Sequence, residues 1–201
     1  LLEGFYTRLN HVFVLEEIGK DEEHNAVIKE RRNGQGAEVA GVTVEGKVAY
    51  LSLVQLQAGV TWQKSHYTRP EKWSKDSSVP AEKRIFRTPD WYGYFTATYS
   101  PVKPLNIALS GTYTGSMIVQ HMKGYIPKDI AVTTPDFFDM NLKISYDFSL
   151  YKFITLQLNA GIQNIFNAYQ RDFDQGKERD SGYIYGPSMP RSYFAGAKLM
   201  F

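Results

Sequence analysis

The sequence predicts an all-β fold, an antiparallel transmembrane β-barrel of about eight strands, and three observations predict it. Short tracts alternate strictly between apolar and polar residues, aromatic residues bracket the apolar parity of those tracts, and the connections between tracts are alternately short and long.

The clearest tract runs from Asp136 to Phe148. Phe138, Met140, Leu142, Ile144, Tyr146 and Phe148 occupy one parity, and Asp139, Asn141, Lys143, Ser145 and Asp147 the other. Successive side chains of a strand point to opposite faces, so one face of this strand is apolar throughout and the other polar. A strand half-buried on a soluble core would alternate in the same way. The aromatic residues favour lipid. Ten steps of about 3.3 Å, tilted by roughly 40°, span about 25 Å from Phe138 to Phe148, the height of an outer-membrane barrel's apolar band between its two aromatic girdles.

Taken in order, residues 2–18 read as one strand, with Phe5, Leu9, Phe13 and Leu15 on a parity that Thr7 and His11 interrupt. Asp21-Glu22-Glu23-His24-Asn25 is a polar turn, from which the chain returns through Val27 to Arg32. Residues 41–50 alternate with Val42, Val44, Val48 and Tyr50 outward and Thr43, Glu45 and Lys47 inward. After the short link Leu51-Ser52-Leu53, Val54, Leu56, Ala58, Val60 and Trp62 oppose Gln55, Gln57, Thr61 and Gln63. Residues 64–89 are polar and basic, with Pro70, Pro80 and Pro89 expected to prevent regular structure.

The pattern resumes at Trp91 to Tyr99, turns tightly at Pro101-Val102-Lys103-Pro104, and continues with Leu105, Ile107, Leu109 and Tyr113 on one face. A second long connection, 115–135, leads to the tract described first. Ser149 to Phe153 then turns the chain into Ile154, Leu156, Leu158, Ala160 and Ile162. A third long connection, 168–190, precedes the last strand, Tyr193 to Phe201.

Long connections without regular structure are uncommon in compact domains and are usually functional. In an outer-membrane barrel the asymmetry is expected, with short periplasmic turns and long extracellular loops. Tyr50, Tyr99, Tyr146, Phe148 and Phe201 lie at the short-turn ends, and Trp62, Trp91, Tyr113, Phe138 and Phe166 at the long-loop ends.

Composition narrows the function. A net charge of +2 is too close to balance for a nucleic-acid partner. With no cysteine there is neither a disulfide framework nor thiolate chemistry. No apolar run approaches the roughly 18 residues of a membrane helix, so any membrane contact requires a barrel. The sequence opens on Leu1-Leu2-Glu3, without an initiator Met or a signal segment, and is expected to be a piece of a longer chain. His11, His24, His66 and His121 lie far apart, and no nucleophile with its base accompanies them, so neither an enzyme nor a cofactor is expected.

The segments Ala160-Gly161-Ile162-Gln163-Asn164-Ile165-Phe166-Asn167-Ala168-Tyr169 and Pro190-Arg191-Ser192-Tyr193 through Phe201 resemble the C-terminal strands of TonB-dependent outer-membrane receptors. The first is similar to that family's Asn-Leu-Phe strand, and the second to its closing strand, which follows Pro-Arg and ends in Phe. Phe5 to Leu9 and Gly41 to Glu45 resemble two further strands, although Thr43 widens the family's Gly-Val-Glu spacing. The resemblance implies the last eight strands of a plugged barrel of about 22 strands. It further implies import of a ferric siderophore, heme or cobalamin across the outer membrane of a Gram-negative bacterium. The implied partners are the receptor's own plug domain, TonB acting through it, and a surface lipoprotein. Tyr193, Ala195, Ala197, Leu199 and Phe201 match the family's outer-membrane assembly signal.

The loops supply candidate ligand contacts. Tyr67, Arg69, Lys72, Trp73, Lys83, Arg84 and Arg87 in the first, Lys123 and Tyr125 in the second, and Arg171, Tyr183 and Tyr185 in the third suit an anionic, aromatic ligand. The same cations suit lipopolysaccharide phosphates, and the tyrosines suit rim packing. His121 beside Met122 is a heme-ligand candidate, but a solvated loop histidine is the favoured reading. Asp172 to Asp180 has carboxylates at calcium-like spacing, with Tyr183 where an EF-hand places Glu, and no metal is expected there. Inward Glu45, Lys47, Lys143, Asp147 and Lys198 either contact a plug or hydrate a lumen.

Other readings are a self-closed eight-stranded barrel with a structural or adhesive role, an outer-membrane lipid-modifying enzyme, and a soluble lipocalin-like barrel. Small inward residues such as Thr96, Thr98, Asn106, Ser110 and Thr112 suit a wide, wet barrel better than a filled narrow one. Two unpaired edges, at the first and last strands, are therefore expected.

Overall fold

The computed structural model describes residues 1–24 and 26–201. Asn25, the last residue of the expected polar turn, and the Glu16 and Glu17 side chains lie outside the described residues. The strands are β1 (Leu2–Leu9), β2 (Phe13–Asp21), β3 (Ala26–Asn33), β4 (Ala37–Tyr50), β5 (Val54–Glu71), β6 (Glu82–Arg84) and β7 (Trp91–Val102). They continue with β8 (Leu105–Thr114), β9 (Ile118–His121), β10 (Ile130–Thr133), β11 (Phe137–Tyr151), β12 (Ile154–Gln163) and β13 (Ser192–Met200). No described residue is helical.

The main sheet is an antiparallel meander in the order β1-β4-β5-β7-β8-β11-β12-β13, with β6 attached to β5. β2 with β3, and β9 with β10, form separate two-stranded ribbons. The eight expected strands are thus the eight of the meander. No ladder joins β1 to β13 among the described residues, so both keep an open edge, as expected.

Register carries the alternation across the whole sheet. Val48, Leu56, Ala97, Leu109, Leu142, Ile162 and Tyr193 stand opposite one another in turn from β4 to β13. The neighbouring row runs Lys47, Gln57, Thr96, Ser110 and Asn141. A slip of one residue would move every apolar side chain of a strand to the polar face, so the segregation of the two parities fixes the pairing. Among the described residues the apolar face is left open: Val48 is 64% exposed and Leu158 44% exposed. Both aromatic rows are aligned by the same register. Trp62 pairs with Trp91, their rings 6.4 Å apart, and Phe138 stacks on Phe166 at 5.7 Å. At the opposite end Tyr146 lies 4.6 Å from Phe148.

Several expected boundaries shift. The tract 2–18 is two strands, because the chain leaves the sheet after Leu9 and β2 pairs only with β3. On β1 the apolar-face positions are Leu2, Gly4, Tyr6 and Arg8, given by their pairing with Val44, Val42, Ala40 and Glu38. Phe5 consequently lies on the polar parity, where its ring occupies the space above Gly41. That close approach requires a residue without Cβ, since a Cβ there would also strike the Trp62 carbonyl.

Residues 64–71 continue β5 despite Pro70, paired with a β4 that begins at Ala37. Residues 115–135 contain the β9–β10 hairpin. The turns at 101–104 and 149–153 are shorter than expected, since β7 runs to Val102 and β11 to Tyr151. At the third turn Leu51 adopts a left-handed φ of 50°.

Most of the protein's own core lies in the long connections, with Ala37 and Phe137 buried where β4 and β11 begin. Val119 is wholly buried, with Ile118, Tyr183, Gln170 and His121 beside it in burial.

Candidate functional site

At the long-loop end the three connections interlock around His121. Its ring stacks on Tyr183 with centroids 3.7 Å apart and planes 8° from parallel. Its Nε2 lies 3.0 Å from both carboxylate oxygens of Asp174. Both partners are almost fully buried. His121 is therefore neither the solvated loop histidine expected nor turned outward as a heme ligand would be, because the third connection has closed over it.

The acidic run 172–180 staples this knot. Asp172 accepts hydrogen bonds from the Tyr185 hydroxyl at 2.6 Å and the Tyr183 hydroxyl at 2.8 Å. Asp174 also accepts from the Asp180 amide, and Asp180 accepts from the amides of Met122 and Gly182. The carboxylates of Asp172, Asp174 and Asp180 are thus turned to protein donors instead of converging on a cation, and no metal-holding cluster occurs among the described residues. Burial opposes ionisation of Asp172, but the hydroxyls of Tyr185 and Tyr183 more than offset it, and its carboxyl titrates below the ordinary carboxylate range. Burial together with Asp172 pushes Tyr185 up to about 12, and the same causes push Tyr183 up further.

The first connection joins through Arg87. Its amide donates to the Ile118 carbonyl, and its guanidinium donates to the carbonyls of Ile184 and Gly182. Arg87 holds a left-handed φ of 60°, a conformation uncommon for a non-glycine residue and maintained here by bonds to both other loops. Ser74 adds a buried 2.6 Å bond to Asp129, which also accepts from the Lys123 amide.

Asn164 begins the third connection. It is buried with a φ of 51°, and its side chain bonds both the amide and the carbonyl of Ala168 and the Met189 carbonyl. Asparagine tolerates that backbone region and carries a donor and an acceptor, so one side chain ties both ends of the loop.

The expected ligand contacts separate by environment. Tyr183 is 3% exposed, and Tyr185 and Arg87 are bonded within the knot. Trp73 donates its indole N–H to the Pro80 carbonyl and packs edge-on against Phe86. Tyr67 is half-buried on the polar parity of β5, and Arg69 is exposed near that strand's end. Tyr125 is 56% exposed, and the Arg171 guanidinium stands 5.1 Å from the Tyr169 ring centroid. Arg84 pairs with His66 in register, on the apolar-face parity. On β13, Tyr193 and Leu199 are exposed on that same parity, and Phe201 follows the strand.

Inside the sheet, Glu45 accepts from the Tyr94 hydroxyl at 2.8 Å and from Gln57 at 2.7 Å. Asp147 accepts from Gln157 at 2.7 Å. Sequence reading missed the roles of Asp129, Ser74 and Tyr94, and of Gln170, whose side chain donates to the Tyr183 carbonyl and accepts from the Tyr185 amide; their partners are distant in sequence, and only the spacing of Glu45, Gln57 and Tyr94 across the register could have signalled one of these contacts.

No protein-family model matches the chain, and no curated protein sequence does. Solved structures do. The ferric-catecholate import receptor Fiu from Escherichia coli K12 superposes with a TM-score of 0.60 at 20% identity, covering 99% of this chain and 25% of that one. The ferripyoverdine receptor of the Pseudomonas aeruginosa outer membrane gives 0.62 at 15% identity, covering 99% and 24%. A mutant of the ferric enterobactin receptor PfeA from Pseudomonas aeruginosa gives 0.58 at 16% identity, covering 99% and 28%. This chain spans about a quarter of the length of each. At such identities the likeness establishes fold, and the chain has the fold of part of the antiparallel β-barrel of these receptors.

Proposed function

We propose that the chain is the C-terminal part of the barrel of a TonB-dependent outer-membrane receptor that imports a ferric siderophore. The carrying observation is the apolar face, continuous over the meander, bare of protein and framed by aromatic rows at both ends. An uncovered apolar surface of that extent is unfavourable in water and suited to hydrocarbon. The likeness to receptors named for ferric catecholates, ferric enterobactin and ferripyoverdine favours an iron chelate over heme or cobalamin. The unpaired edges of β1 and β13 speak against the self-closed eight-stranded alternative and leave room for further strands of the same chain.

On this reading the short turns are periplasmic, the interlocked loops are extracellular, and the polar parity lines a lumen holding a plug through which TonB acts. The chelate meets Arg69, Tyr125 and Arg171, with Tyr67 and Trp73 flanking them, whereas Tyr183, Tyr185 and Arg87 hold the loops in place. Arg171, oriented over Tyr169, offers guanidinium donors to anionic oxygens. Arg84, on the lipid-side parity, is no part of this set. Tyr193, Leu199 and Phe201 present the assembly signal.

The test is growth of a strain lacking the gene under iron restriction, with single ferric siderophores as the iron source, beside fractionation of the full-length protein. Loss of growth on one chelate, restored by the wild-type gene and weakened by combined Tyr125→Ala and Arg171→Ala, is the expected result. Recovery in the soluble fraction, or unchanged growth on every chelate supplied, would overturn the proposal.

A further inference from the structure

We infer that the bare face of the β2–β3 ribbon, carrying Phe13, Leu15 and Arg31, seats another long connection of the same chain, the one leading into the strand that pairs with the open edge of β1. This rests on the receptor reading above, under which further chain precedes Leu1.

The ribbon has one attached face and one bare face. Register puts Val14 and Arg32 on the first, and Phe13 with Asn33 and Leu15 with Arg31 on the second. Val14 packs against Gly34 so closely that a Cβ there would strike it. Arg32 lies 3.8 Å from the buried carboxylate of Glu71, at the end of β5, and that carboxylate also accepts from the Gln35 amide at 3.1 Å. The attached face is thus pinned to the main sheet. On the bare face Phe13 is 74% exposed and Leu15 63% exposed, with Arg31 exposed opposite Leu15.

A two-stranded ribbon in water is only marginally stable without a second layer. On the receptor reading the ribbon stands beyond the membrane, so hydrocarbon does not cover these side chains as it covers the meander. They require a protein cover.

The other long connections show where such cover comes from. Residues 72–90, 115–135 and 168–190 interlock, with Arg87 bonding to Ile118 and Ile184, and they bury Ile118, Val119 and Tyr183. Each of these connections leans on another. The ribbon has a neighbour on the β5 side, through Glu71, and none among the described residues on the β1 side, where the sheet ends.

Connectivity then names the occupant. β1 runs toward the long-loop end, so in the alternation of short and long links the link before it is a short turn, and the strand before that turn pairs with the open β1 edge. The connection leading into that strand lies at the long-loop end, beside the ribbon. Phe13 and Leu15 require apolar side chains from it, and Arg31 a carboxylate.

The test uses the full-length protein in whole cells, with any cysteine elsewhere in the longer chain replaced. Leu15→Cys, and separately Glu23→Cys at the exposed tip of the ribbon, are treated with a membrane-impermeant maleimide. Position 23 should label quickly, and position 15 at least about tenfold more slowly. A benzoylphenylalanine in place of Phe13 should cross-link, on irradiation, to a peptide upstream of Leu1 in the same chain, identified by mass spectrometry. Leu15→Asp should speed amide exchange in residues 13–33 by about tenfold or more and leave residues 118–121 and 174–185 unchanged, which separates loss of the cover from failure to fold. Equal labelling at 15 and 23, or a cross-link from position 13 to a second copy or to another protein, would overturn this inference and leave the receptor reading standing. Absence of label at 23 would overturn the receptor reading, and this inference with it.

Discussion

The meander and the loop cluster are built from one chain by opposite rules. In the meander, large apolar side chains such as Val48, Ile144 and Leu158 stand exposed, and the polar side chains are the ones that find protein partners, as Glu45 does with Tyr94 and Gln57. In the loop cluster the apolar residues Ile118, Val119 and Tyr183 are buried, and the rim is charged. A β-sheet normally hides one face against another layer. On the proposed reading the second layer of the sheet is supplied by hydrocarbon, whereas the loops project into water and make a core of their own. The lesson is that burial alone is a poor guide to where each part is stable; the surrounding medium decides.

The largest effect expected from breaking this contrast is a charge at mid-strand. Leu142→Arg should cost about 2–4 kcal/mol of stability in lipid bilayers, whereas Ser145→Arg, on the opposite face, should cost under about 1. Reversible denaturant unfolding from vesicles measures both, and equal costs would erase the distinction between the faces.

In the loops, His121→Ala removes the partner of a buried carboxylate and the stack on Tyr183, with an expected local loss of about 2–3 kcal/mol. Hydrogen exchange should rise at residues 118–121 and 174–185 and stay unchanged in β11 and β12. Spread of faster exchange into those strands would show that the two regions are one cooperative unit.

A smaller effect comes from pH. Tyr185 titrates in the fold at about 12, above its ordinary 10.0, so its contribution is intact below pH 10 and is lost as pH rises toward about 12. Asp172, held below its ordinary value, contributes above about pH 4 and loses its contribution as pH falls through its lowered value. Loop exchange measured across both ranges should loosen at each extreme, and Tyr185→Phe should remove the larger part of the alkaline change. A flat profile at both extremes would argue against the Tyr185–Asp172 bond.

The smallest effect belongs to exposed ion pairs on strand ends. Arg8→Ala, which loses Glu38 at 3.6 Å, should change stability by less than about 0.5 kcal/mol.

What the sequence disclosed and what it withheld divide along the same boundary. Alternation located the eight strands of the meander and their outward parity from Val42 to Leu199, because each strand there keeps its apolar and polar side chains on opposite faces. Past Trp62 polar residues occupy both parities of β5, as Lys64 and His66 do on one and Gln63 and Ser65 on the other, so the alternation stops while the strand continues to Glu71, and residues 64–71 read as loop. Ile118-Val119-Gln120-His121 shows no period of two because its residues are buried on both faces by distant loops, and β9 was invisible for that reason. Phe5 misled because an apolar side chain can serve the wet face by covering Gly41. Of the candidate site, the residue types in the loops were legible, but which of them hold the loops and which face a ligand depends on contacts such as Tyr183 with Asp172 and Arg87 with Ile184, which only folding creates.

The most direct test places single cysteines in these 201 residues, which contain none, after replacement of any cysteine elsewhere in the longer protein. Single substitutions Ile144→Cys, Ser145→Cys, Leu158→Cys and Asn159→Cys in the full-length protein, each spin-labelled in bilayers, report collision with oxygen dissolved in hydrocarbon or with a water-soluble nickel chelate. Labels at 144 and 158 should collide chiefly with oxygen, and labels at 145 and 159 chiefly with the nickel chelate. The reverse pattern, or no alternation between neighbouring positions, would contradict the assignment of the apolar face to lipid.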